Sequence, residues 1–100
     1  MRKMELNKIA VMGAGSMGTA IAQVVATGGY PVYIRDISMD ILGRSKNKID
    51  HQLKKLVKKG KISPEDINNI LNRITFTEDL RVAVENADFI IEAVPENLDL

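Results

Sequence analysis

Apolar positions fall into two kinds of pattern along this chain: unbroken runs of about four residues, and longer stretches in which they recur every three or four. The runs read as buried strands and the stretches as amphipathic helices. Ile9 to Met12 is the first run, ended by glycine. From Ser16 a helical pattern carries Met17, Ile21, Val24 and Val25 on its apolar side, and "TGGY" stops it. Val32 to Ile34 begins a second strand that ends at "RD", with Pro31 tolerable only at the strand's first position. Ser38 then caps a long helix to about Lys59, whose apolar side is Ile41, Leu42, Ser45, Ile49, Leu53, Leu56 and Val57. "SPED" combines a cap at Ser63, a proline at the first helical position and acidic residues in the first turn, so another helix runs from Pro64 to about Leu71.

"RITF" is a third short strand, and "TEDLRVAVEN" is a short helix capped by Thr77. "DFIIEAV" is a fourth strand, apolar enough to be covered on both faces. Strands alternating with helices predict the α/β class: a parallel sheet with right-handed crossovers and a helical hairpin, about 38–72, inserted between strands two and three.

Composition adds limits. The chain has 100 residues, 45% hydrophobic and 27% charged, as in an ordinary folded protein, and its formal net charge of +1 favours no particular partner. It has no cysteine, which removes disulfides, thiolate metal sites and a thiol nucleophile, and fits the cytoplasm. "MRKMELNK" lacks the apolar core of a secretory signal, and no apolar run approaches the roughly 20 residues that span a bilayer. No membrane association is expected.

"GAGSMG" places Gly13, Gly15 and Gly18 in G-x-G-x-x-G spacing between a strand and a helix. Gly13 permits the tight turn, Gly15 leaves room for a pyrophosphate, and Gly18 lets the helix approach the strand. The N–H groups of the helix start, around Ser16 to Gly18, face the phosphates with the favourable end of the helix dipole, and Gly13, Ala14, Gly15, Ser16, Met17 and Gly18 together are the candidate cofactor-binding loop. Glycines at this spacing also serve plain tight turns, so Asp36 matters. It stands at the end of strand two, eighteen residues past Gly18. A carboxylate there accepts from both adenosine ribose hydroxyls and repels a 2'-phosphate, which predicts NAD rather than NADP. Arg35 complicates this, since an arginine can pair with that phosphate unless it faces away. The expected Rossmann-type strand order, 3-2-1-4, sets the end of strand four beside the glycine loop at the binding crevice. Ala93 to Glu96 then pass the nicotinamide half, and Glu92 is either at the strand's wet end or bonded to loop or cofactor.

Arg44, Lys46, Lys48, Lys54, Lys55, Lys58, Lys59 and Lys61 crowd the hairpin. A solvated face with cations at a helix C-terminus accounts for most of them. Few aromatics accompany the patch and the charges nearly balance, so no nucleic-acid partner is expected. His51 lacks the companions a metal site needs.

With "VMGAGSMGTAIAQVVATGGYPVYIRDIS", "LVKKGKIS" and "NADFIIEAVPENLDL" in order, the chain resembles the N-terminal NAD-binding domain of the L-3-hydroxyacyl-CoA dehydrogenases, including the 3-hydroxybutyryl-CoA dehydrogenases. The resemblance implies NAD as cofactor, a pyrophosphate loop at Gly13 to Gly18, Asp36 on the adenosine ribose and Glu96 by the nicotinamide ribose. It further implies coenzyme A contacts at Gln52, where some members carry serine, and Lys59. An acyl-CoA substrate, fatty-acid metabolism and a homodimer formed through a C-terminal helical domain also follow from it. The family's catalytic histidine and glutamate belong to segments beyond Leu100, so residues 1–100 are expected to be the N-terminal part of a longer enzyme, without a catalytic residue of their own and inactive alone. Another NAD-dependent β-hydroxyacid dehydrogenase, or a non-catalytic NAD-binding protein of the same fold, stays open at this point.

Overall fold

Strands β1 (Ile9–Met12), β2 (Val32–Arg35), β3 (Ile74–Thr77) and β4 (Phe89–Glu92) form one parallel sheet, ordered β3-β2-β1-β4, in the computed structural model, which describes residues 7–93. The helices are α1 (Ser16–Thr27), α2 (Met39–Lys58), α3 (Pro64–Asn72) and α4 (Leu80–Val84). The α/β class, the strand order and the inserted hairpin are those the sequence predicts. Pairing Ile9 with both Val32 and Phe89 brings Met12, Arg35 and Glu92 into one row at the carboxyl end. The next residues keep that row tied: Gly13 N–H donates to the Arg35 carbonyl at 2.7 Å, and Ala93 N–H to that of Met12 at 2.8 Å. Everything the glycine loop and Asp36 do is done just beyond this row.

Val11, Val32 and Ile34 of the sheet are fully buried with Leu42, Ile49 and Leu53 of α2. The long amphipathic stripe of α2 therefore supplies half of the largest core side chains. Truncating any of these to alanine costs about 2–5 kcal/mol for a leucine or isoleucine. Ile70 of α3 closes the hairpin from the other side, and the Asp66 carboxylate accepts from Ser63 N–H at 2.9 Å and Ser63 Oγ–H at 3.1 Å to hold the entry to α3. Arg73 Nη1 donates to the Ala26 carbonyl at 2.8 Å, which fastens the end of α3 to the end of α1.

Three local expectations are corrected. The face of α1 that meets the core is Gly18, Thr19, Ala22 and Ala26, not the row of large apolar side chains; Met17 is 64% and Val24 72% exposed. Close approach decides this, because a Cβ on Gly18 would lie 1.7 Å from the Gly13 carbonyl oxygen, and only small side chains fit between helix and sheet at that separation. Ile21 and Val25 pack against the core margin. The cap of α4 is Asp79, whose Oδ1 accepts from Arg81 N–H at 2.9 Å and Val82 N–H at 3.2 Å, while Thr77 Oγ1 accepts from Asp79 N–H at 3.0 Å and so acts one step earlier. Finally, β4 is not covered on both faces: Phe89 is 51% and Ile90 54% exposed. The strand order puts β4 at the sheet's edge, and its outer backbone row has no strand partner among the described residues.

Candidate functional site

Gly13 turns the chain out of β1 with φ of 109°, a conformation that favours glycine, and this sharp turn aims the next peptide at β2. Ala14, buried behind it, is held from both sides. Its N–H donates to Asp36 Oδ2 at 2.9 Å, and its carbonyl accepts from Thr19 Oγ1 at 3.1 Å. Thr19 Oγ1 also hydrogen-bonds Ser45 Oγ of α2 at 2.8 Å, with both residues 3% exposed. One residue thus joins the second strand's carboxylate, the first helix and the long hairpin helix.

Past Ala14 the chain opens to solvent. Gly15 is the N-cap of α1, in extended conformation, and no side chain caps the helix. Its carbonyl accepts the first helical bond from Thr19 N–H at 2.9 Å, so the N–H groups of Ser16, Met17 and Gly18 have no partner within the helix. No acidic residue occupies the first turn. Gly15, Ser16 and Met17 are exposed, and a Cβ built on Gly15 meets nothing within 4 Å. Uncapped donors at the positive end of a helix, with a side-chain-free approach in front of them, are what a pyrophosphate needs. The two glycines differ in kind: Gly18 is required by the protein's own backbone, whereas a side chain at Gly15 would meet no described atom of the fold.

Asp36 is half-buried, with Oδ1 accepting from Ser38 N–H at 3.3 Å in addition to the Ala14 bond. Each oxygen keeps a lone pair for a further donor, the requirement for accepting from a ribose diol. With Met12, Gly13, Arg35 and Ile37 it lines a recess of about 210 Å³. Arg35 also borders this recess, and its Nε is turned to the Glu78 carbonyl, to which it donates at 2.9 Å. The residues present fit a dinucleotide carrying a free adenosine ribose.

Between the glycine loop and α2 lies a second recess of about 320 Å³, bounded by Gly15, Ser16, Ser45, Arg44 and Lys48. It continues into one of about 310 Å³ that Lys48 and the half-buried Gln52 share with Ser16 and Gln23. Arg44, Lys48 and Gln52 follow one another at four-residue spacing, one ridge of α2 turned to α1. Lys59 caps the end of α2, exposed, about 10 Å further along that helix from Gln52. His51 is exposed on the same helix, and among the described residues no three His, Cys, Asp or Glu side chains gather as metal ligands. Glu92 is exposed at the strand's end, and Glu96 lies outside the described residues.

Four contributors escaped the sequence reading. Thr19 and Ser45 are a buried hydroxyl pair; the available signal was Ser45 standing alone in an aliphatic stripe. Arg44 and Lys48 line the loop-facing recess, and their spacing to Gln52 was the sign that these two cations differ from the crowd at the helix end.

The family model described as "3-hydroxyacyl-CoA dehydrogenase, NAD binding domain" matches residues 8–100. A probable 3-hydroxybutyryl-CoA dehydrogenase of Bacillus subtilis is 36% identical over 95 residues, 95% of this chain and 33% of that protein. The mitochondrial hydroxyacyl-coenzyme A dehydrogenase of Rattus norvegicus is 35% identical, across 99% of this chain and 33% of its own. Among solved structures, the (S)-3-hydroxybutyryl-CoA dehydrogenase of Ralstonia eutropha superposes with a TM-score of 0.88 at 32% identity, covering 95% of this chain and 33% of that one. The chain spans about a third of the length of the curated relatives it matches.

Proposed function

The chain belongs to the family of 3-hydroxyacyl-CoA dehydrogenase NAD-binding domains, and from that premise we propose that the whole protein interconverts (S)-3-hydroxyacyl-CoA and 3-oxoacyl-CoA. NAD supplies the hydride acceptor in one direction and, reduced, the donor in the other. The observation that carries the reading is the uncapped first turn of α1 beside a carboxylate pinned to the same loop.

In this reading the loop from Gly13 through Ala14, Gly15, Ser16, Met17 and Gly18 wraps the pyrophosphate, which the N–H groups of Ser16, Met17 and Gly18 face. Those of Gly13 and Ala14 stay bonded to Arg35 and Asp36, and Asp36 accepts from the adenosine ribose. Glu96 completes the nicotinamide end. On the hairpin, Lys59 pairs with a phosphate of coenzyme A and Gln52 hydrogen-bonds along the same ligand. A rigid loop orients the cofactor before substrate arrives, so its ordering cost is met in folding. No residue of this chain is assigned the proton transfer; the acid–base pair and the acyl wall are proposed to come from sequence beyond Leu100. A homodimer and a cytoplasmic location belong to the same proposal, with sedimentation and cell fractionation as their checks.

The test is the rate of NADH loss with acetoacetyl-CoA in the full-length protein. No substrate-dependent oxidation by the folded protein refutes the assignment. Lys59→Ala raises KM for the CoA substrate about tenfold, the worth of one charge-assisted contact, with kcat little changed. An unmoved KM rejects the coenzyme A role of Lys59.

A further inference from the structure

Arg44 and Lys48 differ from the other cations of the hairpin in where they stand and in what they lack. Both border the recess of about 320 Å³ between α2 and the glycine loop, across from Gly15 and Ser16, and Lys48 also borders the recess of about 310 Å³ that continues to Gln52. No acidic side chain lines either recess. Asp40 stands four residues before Arg44, the spacing and order at which Asp50 pairs with Lys54 at 2.9 Å, yet Arg44 and Asp40 form no ion pair. The ridge instead sets two like charges one helical turn apart, an arrangement that works against a helix. The helix dipole accounts for Lys55 and Lys58 in the last turn of α2, but its effect is confined to that turn, and Lys48 lies about three turns before Lys58. Neither local pairing nor the dipole explains positive charge at this place.

What the two cations face does explain it. Ser16 N–H, on the opposite wall, is one of the donors that α1 leaves without a helical partner. The loop from Gly13 to Gly18 carries no cation of its own. A diphosphate ester brings two negative charges, and the dipole of α1 opposes them with the equivalent of about half a charge. We propose that Arg44 and Lys48 form a second anion subsite, which closes the phosphate site from the side of α2 and takes a diphosphate ester. The inference rests on the dinucleotide reading above and gives a role to two hairpin residues that have none there. Both proposed nucleotides carry this group: NAD between its two ribosides, and coenzyme A between its adenosine and its pantetheine arm.

Calorimetric titration of the whole protein with NADH, and separately with coenzyme A, reads the two sources apart. Arg44→Gln and Lys48→Gln are each expected to weaken at least one ligand by about fivefold, the most that a solvent-exposed charge contact supplies, and the double variant by about 20-fold. The loss shrinks as ionic strength is raised, which a purely structural effect would not do. Both side chains are exposed, so circular dichroism and the unfolding midpoint stay native. Lys48→Arg, which keeps the charge, keeps most of the affinity. Lys54→Ala removes a charge from the same helix outside both recesses and leaves both affinities native. A loss confined to NADH assigns the subsite to the dinucleotide's diphosphate, and one confined to coenzyme A assigns it to that ligand. The proposal is overturned if the double variant binds both ligands as the native protein does, or if Lys54→Ala weakens the same ligand equally. A native protein that binds no NADH rejects the dinucleotide reading, and the coenzyme A titration then decides this inference by itself.

Discussion

Exchanging Gly15 and Gly18 for alanine, one at a time, should separate what the fold needs from what the ligand needs. At Gly18 the added methyl would lie 1.7 Å from the Gly13 oxygen and 2.8 Å from its carbonyl carbon. Both atoms are backbone, so no rotamer change relieves the contact, and α1 or the turn must move by about 2 Å to restore an ordinary van der Waals distance. Overpacking of this kind costs typically 1–3 kcal/mol, and a contact against backbone belongs at the top of that range. The better helix propensity of alanine returns about 1 kcal/mol, leaving a net loss of about 2 kcal/mol. At Gly15 nothing lies within 4 Å and φ is −74°, which alanine adopts freely. Its poorer N-cap behaviour, about 0.5–1 kcal/mol, is offset by the reduced freedom of the unfolded chain, about 0.4–1 kcal/mol. Denaturant unfolding of the whole protein should therefore show Gly18→Ala destabilised by about 2 kcal/mol and Gly15→Ala unchanged within about 0.5 kcal/mol. NADH titration should give the reverse ranking: Gly15→Ala loses at least about 100-fold in affinity, because the methyl stands in the phosphate's approach. If Gly15→Ala binds NADH like the native protein, no pyrophosphate rests on this loop.

Thr19→Val keeps the shape of the buried side chain but strips the bonds to Ala14 and Ser45; it should cost about 1–3 kcal/mol, and the double variant with Ser45→Ala should cost less than the two single losses added. Strict additivity in that cycle would mean the two hydroxyls do not interact. Asp66→Ala removes the reciprocal bonds to Ser63 and should lower stability by about 1 kcal/mol while leaving NADH affinity alone. Lys54→Ala breaks only an exposed pair with Asp50 at 2.9 Å, so stability should move by less than about 0.5 kcal/mol and KM for acyl-CoA should not respond, in contrast to Lys59→Ala. A KM that rises equally in both lysine variants would point to the general charge of the hairpin rather than to a contact at Lys59.

Secondary structure was legible where a single local rule decided it. β1 and the stripe of α2 follow from apolar spacing alone, and the entry to α3 from Ser63, Pro64 and Asp66. The failures share a cause, which is that the outcome was decided by a contact that apolar spacing does not record. Met17 and Val24 carry the hydrophobicity of α1, but the separation between α1 and the sheet is set by Gly18 against Gly13, and at that separation the small face wins. β4 reads as a doubly covered strand from its apolar run, although the order 3-2-1-4, itself expected from the sequence, makes it the outermost of the described strands on its side. Asp79 outcompeted Thr77 as the cap of α4 because its side chain reaches two N–H groups of the first turn at once.

The site shows the same division more sharply. Three separate signals stood in the sequence: the glycine spacing, a carboxylate at the end of strand two, and a long hairpin helix. Their meeting at Ala14 was not readable, because its two clamps come from residues 22 positions ahead and 5 positions ahead, and the second is itself tied to α2 through Ser45. This geometry has a consequence for how the halves of the proposed reaction communicate. Displacing α2, the element proposed to carry coenzyme A, pulls on Ser45, then Thr19, then the carbonyl of the residue that precedes the phosphate-facing N–H groups. Buried hydroxyls at 2.8 Å and 3.1 Å allow little slack, so hairpin and loop behave as one body. Thr19→Val should therefore weaken NADH as well as stability. A variant that loses stability but binds NADH with native affinity would show that the loop keeps its shape without the hairpin's grip.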